Sequence, residues 1–200
     1  MVVVFRRVRE RGYAVEAKRA DFPDLEMNPA PGYDQLIPHD MMHMVVEAQL
    51  GLNHAIFGQL AAGGDAGTFH PIFTEHETSR QIARVRTRVK KRGTKMLGEG
   101  RDDCAESERA TYICWQYWLA RSQSGDLKAV SRSMAPQAKQ VRGVATAKEL
   151  GALNQNKLAE ICKHLDELSS CWSKLRVGQS MAVRWPDLAV ASDASSLMNQ

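Results

Sequence analysis

Hydrophobic and polar positions change period several times along this chain, and each change marks an element. Near the start, Met1-Val2-Val3-Val4-Phe5 is a short apolar run, and Tyr13, Val15 and Ala17 then alternate with Ala14, Glu16 and Lys18. A period of two is the pattern of a half-buried strand. Arg11-Gly12 supplies a turn between the runs, so residues 2–8 and 13–18 predict an N-terminal β-hairpin. A connector with Pro and Gly, Asp21 to Gln35, leads to a helix over Pro38–Leu50. Pro38 suits the first helical position, where its missing N–H is not needed. Gly51 stops that helix, and Asn53 suits the cap of a second one ending near Leu60. The three glycines of 61–67 make a loop, a connector or lid. A basic third helix near 75–92 and an aromatic fourth near 103–121 follow.

The last helix has the clearest period. Leu158, Ile161, Leu165, Leu168, Trp172 and Leu175 recur at three-four spacing, one apolar seam for a neighbouring helix. Gly178 ends it. Met181, Val183 and Trp185 then alternate with Ala182 and Arg184 in a strand closed by Pro186. The pattern predicts an α+β domain over residues 1–186: about five helices packed on a small antiparallel sheet made from the N-terminal hairpin and this C-terminal strand. Residues 187–200 read as a flexible tail.

The bulk numbers narrow the setting. Two hundred residues, 44% hydrophobic and 25% charged, suit one globular domain that buries its core without staples. Cys104, Cys114, Cys162 and Cys171 contain no C-x-x-C pair, and the last two are too far apart along one helix to bridge. A reduced, cytoplasmic protein is the expectation. The N-terminal apolar run is too short for a signal-peptide core, and its arginines follow it. No apolar run reaches the roughly 18 residues of a membrane span.

Candidate chemistry concentrates in Pro38-His39-Asp40-Met41-Met42-His43-Met44-Val45-Val46-Glu47. At about 100° per residue, His39, Asp40, His43 and Glu47 share an arc of roughly 100° on an otherwise apolar helix. Histidines at i and i+4 project from adjacent turns and can grip one divalent ion. A stripe exposed to water in so basic a chain would be expected to carry Lys or Arg, and this one carries neither. His39, His43 and Asp40 are therefore the candidate metal ligands, with Asp40 alternatively activating water. His39 to Glu47 spans about 12 Å, too far to share an ion, so Glu47 is assigned as an orienter of His43 or a general base. A further ligand is sought among His54, Gln59, His70, His76 and Glu77.

Two families share this motif. His39-Asp40-Met41-Met42-His43 resembles the H-E-x-x-H of zinc metallopeptidases, with Asp where their general-base Glu stands. The same residues, followed by Gly51-Leu52 and Gly58, resemble the zinc-binding ubiquinone-biosynthesis family. That resemblance implies a metal held by His39, Asp40 and His43, over about 21 residues of the chain. The spacing here is longer by one helical turn, and Gln59 occupies the place of the family's fourth ligand, a Glu. The resemblances imply zinc as the ion and a metal-dependent hydrolase or lyase acting on a small molecule or peptide.

The rival reading is a non-enzymatic interaction protein. Arg80, Arg84, Arg86, Arg88, Lys90, Lys91, Arg92 and Lys95 occur with no acid among them, beside an apolar side of Ile82, Val85 and Val89. Such a face suits an acidic partner or nucleic acid. Nucleic acid is the less expected partner, because no reader motif occurs and few aromatics interleave. Glu99, Asp102, Asp103, Glu106 and Glu108 follow directly and are expected to balance the charge. Tyr112, Trp115, Trp118 and Leu119 read as core between the fourth and last helices.

Overall fold

The computed structural model describes residues 1–191. Its α+β architecture contains seven helices and a six-stranded antiparallel sheet. The hairpin forms as β1 (Val2–Arg9) and β2 (Gly12–Lys18). The connector carries a further strand, β3 (Leu25–Ala30), against which β4 (His70–Pro71) forms the edge. On the other side of β1 lie β5 (Ser180–Arg184) and β6 (Val190–Ala191), giving the order β4-β3-β2-β1-β5-β6. Register explains which side is apolar. Phe5 pairs with Val15 and Met181, Val3 with Ala17 and Val183, and Val15 with Met27. All of these are buried on one face of the sheet.

The helices are α1 (His39–Leu50), α2 (Ile56–Ala61), α3 (Ser79–Glu99), α4 (Arg101–Arg121), α5 (Gly125–Val144), α6 (Ala147–Ala152) and α7 (Gln155–Ser173). Pro38 serves as the N-cap of α1 rather than its first residue, and Gly51 closes it in the left-handed conformation at φ +69°. Asn53 does not cap α2; Ala55 does. Gly58 instead rests on the Asn53 carbonyl, where a Cβ would lie 2.1 Å from the oxygen. Seven helices replace the expected five because α5 and α6 hide their period. The seam of α5 falls at Leu127, Ser131, Met134, Ala138 and Val141, and its two fully buried members are Ser131 and Ala138. Small side chains let α5 lie close on α4, with Ser131 bonded to Gln116, and they leave no hydrophobic trace. The described part of the expected tail is ordered against the fold, with Leu188 buried and β6 paired with β5; residues 192–200 lie outside the described residues.

One contiguous core joins sheet and helices. Met41, Met42, Met44, Val45 and Val46 of α1 are all buried, as a central helix requires. Trp172 of α7 packs edge-on against Tyr13 of β2, under the guanidinium of Arg7. Trp118 fits the expected core between α4 and α7, its indole N–H bonded to Asp166. The four cysteines are free thiols. No helix among the described residues is long and apolar enough to cross a membrane.

Candidate metal centre

The polar stripe of α1 faces inward. Asp40, His43 and Glu47 are buried, and His39 is half-buried at the edge. His43 and Glu47 meet α4 through Ser107 and Thr111, members of a row of small residues. Cys104, Ser107, Thr111 and Cys114 recur at three-four-three spacing, the period of the α7 seam written in Cys, Ser and Thr. Small side chains allow the two backbones to approach and leave room for imidazole between them.

The His39 and His43 Nε2 atoms lie 3.1 Å apart, their rings edge to face. Glu108 of α4 brings Oε2 to 3.8 Å from His43 Nε2. One donor atom from each of His39, His43 and Glu108 lies within 4.8 Å of the other two. Ligands about 2.0–2.1 Å from a tetrahedral ion stand about 3.3 Å apart; the two imidazoles at 3.1 Å fit that spacing, and the exposed Glu108 side chain at 3.8 Å has to close in to share the ion. The cluster is sealed at His43, 2% exposed, and open at Glu108, 68% exposed.

Behind His43 runs a buried chain of polar atoms. His43 Nδ1 lies 2.9 Å from Ser107 Oγ, and Ser107 Oγ lies 2.8 Å from Glu47 Oε1. The other Glu47 oxygen accepts the Phe57 N–H at 2.8 Å. Thr111 Oγ1 stands 3.3 Å from the same imidazole nitrogen. Burial dominates the electrostatics here. It pushes the Glu47 carboxyl up to about 8, against the opposing pull of the Phe57 N–H and Ser107. Burial, with the neighbouring His39 ring, lowers His43 to about 3, so His43 is neutral across the physiological range.

Asp40 does not join the cluster. Its carboxyl meets the Tyr13 hydroxyl, which also lies 2.7 Å from the Pro31 carbonyl. One hydroxyl hydrogen serves one acceptor, and burial raises Asp40 above the usual carboxylate range. The Tyr13 hydroxyl donates to the Asp40 carboxyl, and its oxygen also faces the Asp40 backbone N–H at 3.5 Å. Position 40 thus turns toward the sheet, and the carboxylate beside the histidines comes from α4.

The other candidate ligands lie apart from the cluster. The His54 amide donates to Asp103, Gln59 is buried with its amide on the His54 carbonyl, and His70 sits in edge strand β4. His76 is exposed, and Glu77 accepts from Thr74. Sequence reading missed Ser107, Glu108 and Thr111, although the 104-107-111-114 period marked the face of α4 that meets another helix. No protein-family model, curated protein or solved structure matches this chain.

Proposed function

We propose that the chain is a metal-dependent protein, a hydrolase or lyase, whose ion is held by His39, His43 and Glu108. The observation that carries this reading is the convergence of three donor atoms from two helices, backed by a buried polar chain ending in Glu47. Two imidazoles and one carboxylate with an open side form the pattern of catalytic zinc sites rather than structural ones. Such an ion supplies a Lewis acid and acidifies a bound water. Zinc suits the donor set, and a two-His, one-carboxylate set with open positions also suits ferrous iron.

The residues behind the site decide whether His43 can ligate. Ser107 has one hydrogen, so the chain has two proton arrangements. With Glu47 ionised, Ser107 donates to Glu47 and accepts from His43 Nδ1–H, which leaves a lone pair on Nε2. With Glu47 protonated, every donor reverses, the proton sits on Nε2, and that nitrogen cannot ligate. Ion uptake therefore selects the ionised arrangement and expels a proton. Glu47 orients His43 through Ser107, a distance its own side chain does not span.

The test is metal content by elemental mass spectrometry on tag-free protein. We expect near-stoichiometric zinc or iron in wild type, and its loss in His39→Ala/His43→Ala and in Glu108→Gln. Glu108 is exposed, so its variant isolates ligation from folding. Wild type that neither carries nor takes up a divalent ion refutes the reading.

A further inference from the structure

The charge that sequence alone assigned to a balanced surface is not balanced. Among the described residues, Lys95 is the one α3 cation with an ion pair, to Glu99 at 3.6 Å. Two of the acids that follow are engaged elsewhere: Asp103 holds the His54 amide and Glu108 turns to His43. All eight cations are exposed. On a helical wheel Arg80, Arg84, Arg88, Lys91, Arg92 and Lys95 fall in an arc of about 120°. Val85, Met96, Val89 and Ile82 fall in the adjoining arc of about 60°, and α3 docks by that narrow side, with Arg86 and Lys90 beyond it. Val89 and Gly93 are its two buried residues, and Gly93 admits the Asp65 carboxylate, which sits on the docked side.

From these observations we infer that the exposed row of α3 binds the sugar–phosphate backbone of a nucleic acid. Arg80, Arg84, Arg88, Lys91 and Lys95 follow at four-four-three-four spacing, one cation per helical turn of about 5.4 Å, over about 22 Å. An even row of cations complements a polymer of evenly spaced phosphates, and arginine forks suit phosphate oxygens. Arg86 and Arg92 are already ordered on the Phe73 and Phe22 rings, at 5.2 and 4.8 Å from the centroids. A membrane surface fits less well. An interfacial helix buries bulky apolar side chains beside its cations, and here that side is taken up by the body of the protein. The row offers phosphate-binding cations without a recognised base-reading motif, so binding is expected to be largely independent of sequence. The surface shares no residue with the metal centre.

The experiment is fluorescence anisotropy with a DNA duplex and an RNA duplex of about 20 base pairs each, titrated across salt. About four phosphate contacts give a log–log salt slope near −3.6. Arg80→Glu/Arg84→Glu/Arg88→Glu is expected to weaken binding at least tenfold at about 50 mM salt and flatten that slope by nearly three. The matched control reverses three exposed cations of α5, Lys128→Glu/Arg132→Glu/Lys139→Glu, and is expected to lose far less. The milder Arg80→Gln/Arg84→Gln/Arg88→Gln triple keeps helix-forming residues and should lose affinity in the same direction. Failure of wild type to bind either duplex overturns the inference, as does an equal loss in the α5 triple. So does tighter binding of phosphatidylserine vesicles or polyglutamate through the same three arginines.

Discussion

Replacing Glu47 with Gln tests the buried proton chain at its far end. The Phe57 N–H fixes the orientation of the new amide, because it needs the side-chain oxygen that now accepts it at 2.8 Å. The amide nitrogen then faces Ser107 and donates to it. Ser107 must donate onward to His43 Nδ1, which places the ring hydrogen on Nε2, the atom that faces His39. To ligate, the variant must break one buried hydrogen bond and leave a donor without an acceptor, at about 1–3 kcal/mol. At 1.4 kcal/mol per decade that weakens metal affinity about 5- to 150-fold. The pH profile discriminates further. In wild type, uptake releases the Glu47 proton, so this group alone costs about tenfold in affinity for each unit below about 8. In Glu47→Gln that component disappears and the profile is shallower by one proton. Competition against a chromophoric chelator between about pH 6 and pH 9 reads both quantities. An unchanged affinity with an unchanged slope would refute the relay while leaving the ligand set intact.

Two further outcomes follow from the same buried groups and from close packing. In metal-free protein, Glu47 is raised, so its contribution to stability is full below about 4.5 and is lost as pH rises through about 8; His43 is depressed, so its contribution is lost as pH falls from about 6.5 toward 3. Urea midpoints should therefore stay level where the two windows overlap, from about pH 4.5 to 6.5, and decline from about pH 6.5 to 8, and a decline of the same size in Glu47→Gln would count against the assignment. Gly58→Ala should destabilise by about 2–4 kcal/mol, because its Cβ would sit 2.1 Å from a backbone oxygen that cannot swing away. A thermal midpoint within about a degree of wild type would contradict that close approach.

Legibility in the sequence followed side-chain size. The hairpin, α1 and α7 were readable because Phe5, Val15, Met44, Val45, Leu165 and Trp172 are large, apolar and periodic. The α5 seam was not, because Ser131 and Ala138 carry the same geometry without hydrophobic contrast. β3 was hidden for another reason: Leu25–Ala30 is six residues long, and Pro29 argues against a strand interior. At the site, residues local in sequence were visible and those supplied by another helix were not. His39, His43 and Glu47 announce themselves within nine residues, whereas Ser107 and Glu108 arrive through packing about 60 positions away. Asp40 shows the limit of the helical wheel. The 100° arc is correct, but the wheel does not reveal that Tyr13 waits on the strand side of it.

The position of β1 also shapes how the chain can be made. Val3 pairs on one side with Ala17, a neighbour in sequence, and on the other with Val183. During synthesis at about 5–20 residues per second, the second edge of β1 stays open for roughly 10–35 s after the hairpin closes. Val2, Val3, Val4 and Phe5, whose register partners Arg184, Val183, Ala182 and Met181 come last, form the type of strand that recruits other strands. Pairing with β5 is then the step that covers this edge, and until β5 emerges the edge is open to a second copy of the chain.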